Sequence, residues 1–192
     1  DDHYAGAARR WAEGATLVYG PIARQLVDVS PHPLSGHVVL DVGSGTGVAS
    51  SAVAALGARP LGVDLSYGML AWEKSQRPPA AVANVCALPF PNNAVDDCVA
   101  AFVLNHLVRP QLGIAEIIRV TRPGGAVLAC VYANASHSEV RDVIDSTARE
   151  EGWDVPEWYT RIKGEATPLL GTAQDMARIA GAAGLVSVNV DE

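Results

Sequence analysis

The segment VVLDVGSGTGVA, residues 38–49, constrains the fold of this chain more than any other stretch. Its apolar start predicts a buried strand, and the Ala/Val-rich residues that follow predict a helix. Between them a glycine stands at every second position: Gly43, Gly45 and Gly47. Glycines let the backbone lie close to a ligand, because no Cβ stands in the way. The segment therefore predicts a small-molecule site at the carboxyl end of the first strand of an open α/β sheet.

Strand and helix patterns alternate along the chain, which predicts a parallel sheet with right-handed crossovers. We expect a mainly parallel sheet of six strands with helices on both faces. The predicted strands are 37–42, 60–64, 80–84, 96–104, 126–132 and 185–190. The predicted helices between them are 46–57, 66–77, 110–120 and 172–183.

The remaining segments flank this core within a single predicted domain, 1–192. Apolar spacing in 4–29 predicts two helices, broken near Gly20 and Pro21, that form an N-terminal cap (1–30). A cofactor-binding core (37–133) is followed by an excursion (134–171) and a last helix and strand (172–192). Within the excursion, 137–151 is predicted helical and 152–170 irregular. Its aromatic residues favour a substrate pocket, with a small satellite core as the alternative.

Composition excludes several classes of protein. The net charge is −7 and Lys/Arg are not clustered, which disfavours a nucleic-acid binder. No apolar stretch approaches the roughly 20 residues of a membrane span, and no leader opens the chain. Cys86, Cys98 and Cys130 lack metal-site spacing and predict reduced thiols in a cytoplasm. The acids are dispersed, so we expect no metal site, and the scarcity of lysine indicates a bacterial source.

The spacing of the glycines limits the classes of ligand that the turn can bind. A dinucleotide site prefers G-x-G-x-x-G and a phosphate loop ends in Gly-Lys-Ser/Thr, whereas this turn is G-x-G-x-G. Asp41 beside it suits a cationic ligand. Asp64 ends the second strand, where an acid can accept hydrogen bonds from ribose hydroxyls. The alternatives are an ordinary strand-to-helix connection at the turn and a helix-capping acid at Asp64.

Four stretches carry a resemblance to a known family: VVLDVGSGTGVAS (38–50), LGVDLSYGML (61–70), NVCALPFPNNAVDDCVAAFVLNHL (84–107) and RVTRPGGAVLACVY (119–132). In this order and spacing they resemble class I S-adenosylmethionine-dependent methyltransferases, of the ubiquinone/menaquinone-biosynthesis-like (methyltransferase type 11) group. The resemblance implies a Rossmann-like sandwich with the strand order 3-2-1-4-5, followed by a sixth strand. It also implies S-adenosyl-L-methionine as cofactor, S-adenosyl-L-homocysteine as product and a small-molecule acceptor.

The resemblance also implies roles for individual residues. Asp41 and the glycine turn would hold the amino-acid end of the cofactor, and Asp64 would bind the ribose. Leu65 and Met69 would flank the adenine, which Cys86 and Ala87 would recognise through their backbone. Asn84 stands where the family usually has aspartate. The implied cofactor-binding residues are Asp41, Gly43, Ser44, Gly45, Thr46, Gly47, Asp64, Leu65, Met69, Asn84, Cys86, Ala87, Leu88, Phe102, Asn105, Tyr4 and Tyr19.

Methyl transfer by in-line displacement places the acceptor about 3 Å from the methyl group. A general base is needed only for a protonated acceptor, and His106 is the candidate, with cofactor contact or packing as alternatives. His137 is a second candidate, whereas His3, His32 and His37 look peripheral. Enzymes that methylate exocyclic amines in nucleic acids have a characteristic sequence motif at the end of strand four. This chain has FVLNHL there instead, which disfavours that activity. Two other functions stay open: a non-catalytic binder of the same cofactor, and a nicotinamide-dependent oxidoreductase.

Full family members end with a further antiparallel strand inserted between strands five and six. The sequence ends as the predicted sixth strand finishes, so this C-terminal strand is expected to be missing. Either the protein continues, or strand six meets strand five directly.

Overall fold

The computed structural model describes residue 4 and residues 6–133, 138–165 and 167–191. Its centre is a parallel five-stranded sheet in the order β3-β2-β1-β4-β5, which confirms the predicted order. The strands are β1 (Val38–Val42), β2 (Arg59–Asp64), β3 (Ala80–Val82), β4 (Asp97–Ala101) and β5 (Val127–Cys130). Each is apolar and β1 and β4 are almost wholly buried, as expected for strands covered on both faces.

Helices cover both faces of the sheet. They are α1 (Ala8–Arg10), α2 (Thr16–Asp28), α3 (Val48–Ala55), α4 (Tyr67–Ala71), α5 (Pro110–Val120), α6 (Glu139–Glu150), α7 (Glu157–Glu165), α8 (Thr167–Leu170) and α9 (Ala173–Ala182). A π-helical turn (Trp11–Ala15) joins α1 to α2, and a 3₁₀ turn (Leu104–His106) follows β4. None of the helices in the described ranges has the length and apolarity that a membrane crossing requires.

Two buried clusters hold the layers together. One lies between the sheet and α5, with Ile117 and Leu104 at its centre, and Leu170 of α8 joins it. The other lies between the sheet, α2 and α3, with Val27 and Val53 fully buried. Leu170 thus links the excursion to the main core.

Short sequence patterns predicted the starts of two helices correctly. Pro110 opens α5 at the predicted residue, where its missing N–H costs nothing. The Ser66 hydroxyl caps α4 by accepting from Met69 N–H at 3.4 Å, as predicted. However, α4 ends at Ala71, well before the predicted residue 77.

Three sequence predictions are wrong. The N-terminal helix runs through Pro21, because Ala23 and Val27 are anchored against α3 and a proline removes only one backbone donor. Residues 152–170 contain α7 and α8, short helices that tertiary packing stabilises. Residues 185–190 form no strand. Their alternating valines favour one locally, but a strand needs a neighbour, and Val186 is fully exposed.

The turn between α5 and β5 yields a prediction for two adjacent glycines. A Cβ on Gly125 would lie 2.0 Å from the Asp96 carbonyl oxygen, whereas a Cβ on Gly124 meets nothing within 4 Å. Gly124 has a positive φ of +84°, which costs a non-glycine residue about 1–2 kcal/mol. We expect Gly125→Ala to lower the free energy of unfolding by about 3 kcal/mol, at the upper end of overpacking costs.

Urea unfolding of both variants checks this, with Gly124→Ala as the matched control at about 1 kcal/mol. Equal losses in the two variants would contradict the steric account of the turn.

Candidate functional site

The glycine turn leaves β1 in a conformation that other residues rarely adopt. The φ values of Gly43, Gly45 and Gly47 are +72°, +52° and +95°. A Cβ on Gly43 would lie 2.5 Å from the Val103 side chain. Both Gly43 N–H and Ser44 N–H donate to the Val63 carbonyl, at 2.8 and 2.9 Å. The turn is therefore fixed to the end of β2 and keeps its inner face bare.

Asp64 ties the glycine turn to the start of α4. One carboxylate oxygen accepts from Gly45 N–H at 2.8 Å, and the other accepts from Ser66 N–H at 2.8 Å. Each oxygen of a carboxylate has a second lone pair. Asp64 therefore positions the turn and can still accept hydrogen bonds from a diol on the open side.

Arg77 contacts the glycine turn on the side away from the cavity. No local sequence pattern predicts this contact. Its guanidinium donates to the Gly45 carbonyl at 2.7 Å and to the Ser44 hydroxyl at 3.0 Å. It does not line the cavity described below. Arg77 is 32 residues from Gly45 in the chain, so only the tertiary structure joins them.

Asp41 is a buried carboxylate at the end of β1. One oxygen accepts from the Ser50 hydroxyl at 2.6 Å, and the other has no hydrogen-bond partner among the described residues. Burial raises the pKa of Asp41 to about 6, although the Ser50 hydrogen bond and the charge of Arg77 oppose this. A buried acceptor without a donor is costly, so this oxygen is suited to a cationic ligand.

A cavity of about 600 Å³ opens at the carboxyl ends of β1, β2 and β4. This is the edge where open α/β sheets bind ligands. The structure brings most of the predicted site residues to its wall: Tyr4, Tyr19, Asp41, Gly43, Ser44, Gly45, Asp64, Leu65, Met69, Asn84, Phe102, Asn105 and His106. Five predicted residues do not line it: Thr46, Gly47, Cys86, Ala87 and Leu88.

The loop after β3 explains why three of these predictions are not met. Cys86 N–H donates to the Asn84 side-chain oxygen at 2.9 Å, and Ala87 N–H donates to the Asn84 carbonyl at 2.9 Å. Leu88 is buried, and its N–H donates to Glu116 at 2.7 Å. The backbone donors assigned to adenine are thus engaged in the loop itself, while Ala83, Asn84 and Val85 face the cavity.

Aromatic side chains form the opposite wall of the cavity. Phe102 has a positive φ of +59°, a strained conformation for a bulky residue. Its ring lies 4.9 Å from that of Tyr19 and 4.8 Å from that of Tyr132, between centroids. Trp11 stacks on Tyr19 at 5.1 Å. The sequence did not single out Trp11 or Tyr132, because they are distant in the chain and follow no motif.

His106 lies in this aromatic wall, on the 3₁₀ turn after β4. Its Nε2 is 3.2 Å from the Tyr4 hydroxyl. Burial, together with the neighbouring Tyr19, Asp64 and Tyr159, raises the pKa of Tyr4 well above its ordinary value. The adjacent Asn105 side-chain oxygen is buried with no hydrogen-bond partner in the described ranges. His3 and His137 lie outside the described residues.

The chain resembles proteins of one family. Residues 40–129 match the methyltransferase domain family. The demethylmenaquinone methyltransferase of Renibacterium salmoninarum is 32% identical over 140 residues, which is 72% of this chain and 54% of that protein. A Thermotoga maritima S-adenosylmethionine-dependent methyltransferase, possibly a histamine N-methyltransferase, has a TM-score of 0.66 at 16% identity, over 95% of this chain and 78% of its own.

A second solved structure is that of Haemonchus contortus phosphoethanolamine N-methyltransferase 2 with S-adenosyl-L-methionine. It has a TM-score of 0.62 at 23% identity, over 85% of this chain and 36% of its own. The chain thus matches the methyltransferase domain family over residues 40–129 and shares the fold of the solved structures. It spans about half the length of the curated relatives it matches.

The residues present fit the cofactor of this family. S-adenosylmethionine has an ammonium group, a carboxylate, a sulfonium, a ribose diol and an adenine. Asp41 and Asn105 each present a buried acceptor oxygen without a partner among the described residues, which suits the ammonium group. The bare inner face of the glycine turn and the carboxylate of Asp64 suit the remaining polar groups, and Met69 offers an apolar surface.

The raised pKa of Asp41 has a consequence for stability. The folded pKa, about 6, lies above the ordinary value of 3.8, so folding favours the protonated form and ligand-free protein loses stability as the pH rises between these values. Asp41→Asn removes the free-energy cost of burying this negative charge, and the amide oxygen can still accept a hydrogen bond from the Ser50 hydroxyl. We expect the variant to be more stable at pH 7.5, by up to about 3 kcal/mol.

Urea unfolding without ligand at pH 7.5 and pH 4.5 measures this difference. The gain should shrink at the lower pH, where Asp41 of the wild type is largely protonated. A gain of equal size at both pH values would rule out the burial of charge as its cause.

Proposed function

We propose that this protein transfers a methyl group from S-adenosyl-L-methionine to a small-molecule acceptor, releasing S-adenosyl-L-homocysteine. The observation that carries this proposal is the oxygen of buried Asp41 that has no hydrogen-bond partner among the described residues, beside a glycine turn at the ligand-binding edge of the sheet. A diphosphate would bring negative charge to this carboxylate, whereas an ammonium group neutralises it. The match of residues 40–129 to the methyltransferase domain family supports the same cofactor.

Each part of the cavity has a role in this proposal. Asp41 and the glycine turn bind the amino-acid end, and Asp64 accepts from the ribose hydroxyls. Leu65 and Met69 contact the adenine, whose polar edge meets Asn84 rather than the backbone of Cys86 and Ala87. The bound cofactor supplies an electrophilic methyl group on a sulfonium. The chain's own contribution is to orient the cofactor, exclude water and position the acceptor.

The aromatic wall favours a flat, largely apolar acceptor. Tyr19, Phe102 and Tyr132 present ring faces and edges to the cavity, with polar hydroxyl groups at its rim. Tyr159, from the 134–171 excursion, completes this side. Aromatic side chains contribute to binding through offset or edge contacts with a flat ring. The demethylmenaquinone methyltransferases among the relatives support quinol-like acceptors as the first compounds to test.

The proposal extends to the source organism of the protein and to its compartment in the cell. The demethylmenaquinone methyltransferases that the chain resembles are bacterial, and the three cysteines are free thiols, which suits a reducing cytoplasm. We infer a bacterial cytoplasmic enzyme.

Calorimetry with S-adenosylmethionine, S-adenosylhomocysteine and NAD tests the cofactor. We expect the first two to bind one per chain and NAD not to bind. Asp64→Ala should weaken binding of S-adenosylmethionine by about 1–3 kcal/mol, the scale of losing hydrogen bonds to a charged group. Asp28→Ala is the control, since Asp28 is exposed at the end of α2.

Tight binding of NAD alone would overturn the proposed cofactor. Unchanged affinity in Asp64→Ala, with the variant folded, would remove Asp64 from the site. Methyl transfer to phenols, quinols and carboxylates then separates an enzyme from a protein that only binds the cofactor.

His106 is the proposed general base for an acceptor that enters protonated, oriented by the hydroxyl of Tyr4. We expect His106→Ala to lower kcat by about 10²-fold or more, the usual contribution of general base catalysis, with the dissociation constant of S-adenosylmethionine nearly unchanged. Tyr4→Phe keeps the ring and removes the hydroxyl, so its effect on kcat should be smaller. Unchanged turnover in His106→Ala would leave this residue a packing role.

A further inference from the structure

Three potential metal ligands converge at the edge of the sheet opposite the cofactor cavity. Asp97 begins β4, His37 directly precedes β1, and His32 lies in the loop between α2 and β1. His32 Nε2 is 2.8 Å from one carboxylate oxygen of Asp97, and His37 Nδ1 is 2.7 Å from the other. The sequence predicts His32 and His37 to be peripheral and the acids to be dispersed, so this cluster is a product of the fold.

Asp97 is unusual for its position. Its side chain is fully buried, and the residues that follow it in β4, from Cys98 to Ala100, are buried and apolar. A buried carboxylate is costly unless it is paired. In addition to the two imidazoles, Asp97 accepts from Ala126 N–H at 2.8 Å, which links the cluster to the start of β5.

The donor set and its surroundings suit a cation. Two imidazole nitrogens and a carboxylate are ligands that Zn²⁺ prefers. The ligand atoms of the three residues all lie within 4.8 Å of one another. A cavity of about 330 Å³ lies against them, bordered by Asp96 and Arg122, which form an ion pair with each other. The imidazole side chains of His32 and His37 are 29% and 40% exposed, so an ion can reach them from solvent.

We propose that His32 Nε2, His37 Nδ1 and the Asp97 carboxylate bind one divalent transition-metal ion of the Zn²⁺ type. At ligand distances of about 2.1 Å, tetrahedral coordination separates neighbouring ligand atoms by about 3.4 Å. The nitrogen-to-oxygen distances must therefore widen by about 0.6 Å relative to 2.8 and 2.7 Å. Small rotations of the two partly exposed imidazoles supply this change.

Binding of the ion requires that protons move. An imidazole that donates to Asp97 carries a proton on the nitrogen that faces the carboxylate. When the ion binds there, that nitrogen gives up its proton, either to solvent or by a change of tautomer to the distal nitrogen of the same ring. The fourth coordination position faces the neighbouring cavity, where a water molecule can complete the tetrahedron.

The location assigns a structural role to the ion. The proposed ligands stand at the amino ends of β1 and β4, whereas the cofactor cavity is at the carboxyl ends. The ion would fix the loop at 30–37 to β4 and, through Ala126, to β5. It would stabilise the fold and take no part in methyl transfer.

The competing account is a hydrogen-bonded cluster that needs no ion. Both accounts predict that replacing His32 or His37 destabilises the protein. They differ in what Zn²⁺ does to the wild type: under the proposal it binds one per chain and raises Tm by mass action. Under the competing account it does neither.

The test uses tag-free, chelator-treated protein. Co²⁺ is titrated while its visible absorption is recorded, and Zn²⁺ affinity is measured by competition with a chromophoric chelator. We expect one ion per chain, a tetrahedral Co²⁺ spectrum without thiolate charge transfer, and a rise in Tm on adding Zn²⁺. The single variants His32→Gln and His37→Gln should each weaken Zn²⁺ binding at least tenfold, and the double variant should abolish it.

His106→Gln is the matched control, because it removes a histidine from the opposite edge of the sheet and should leave the Co²⁺ spectrum unchanged. Asp97→Asn removes the shared ligand but can unfold the core, so the two histidine variants decide the outcome. Three results would each overturn the proposal: less than one bound ion per chain, undiminished binding in the double variant, or a spectrum dominated by thiolate ligands.

Discussion

The conformation of the turn between Asp41 and Gly47 is the constraint on which the rest of the site depends. Positive φ angles at its three glycines let β1 end and α3 begin with no side chain on the inner face. The turn is held from β2 by Val63 and Asp64, and from behind by Arg77. Because these contacts come from backbone groups and from the partly buried side chains of Asp64 and Arg77, the turn keeps its shape before any ligand arrives.

Several features of the ligand-binding edge are energetically unfavourable in the free protein, and a bound cofactor would relieve them. Asp41 has a buried oxygen without a partner among the described residues, and so does Asn105. Phe102 adopts a strained backbone conformation to place its ring between Tyr19 and Tyr132. Such features lower the stability of the free protein and are typical of functional sites. The apolar clusters on both faces of the sheet offset them.

The two edges of the sheet have different chemistry. At the carboxyl edge, acids and aromatic rings surround an open cavity, and the buried carboxylate of Asp41 is only partly satisfied. At the amino edge, the buried carboxylate of Asp97 accepts three hydrogen bonds and joins a loop, β4 and β5. Asp97 therefore joins elements of the fold, whereas the Asp41 oxygen that has no partner among the described residues faces the cofactor cavity.

The sequence by itself determined the alternation of strands and helices, the glycine turn, Asp41, Asp64 and the start of α5 at Pro110, because hydrophobic period, glycine spacing and proline chemistry act between near neighbours. The strand order followed from the family resemblance, since no local pattern specifies which strands are neighbours. Only the tertiary structure decided that Arg77 supports the turn, that Trp11 and Tyr132 join the aromatic wall, and that His32, His37 and Asp97 meet. It also decided that the helix continues through Pro21 and that 185–190 is not a strand. These outcomes depend on contacts between distant residues, which leave no local pattern.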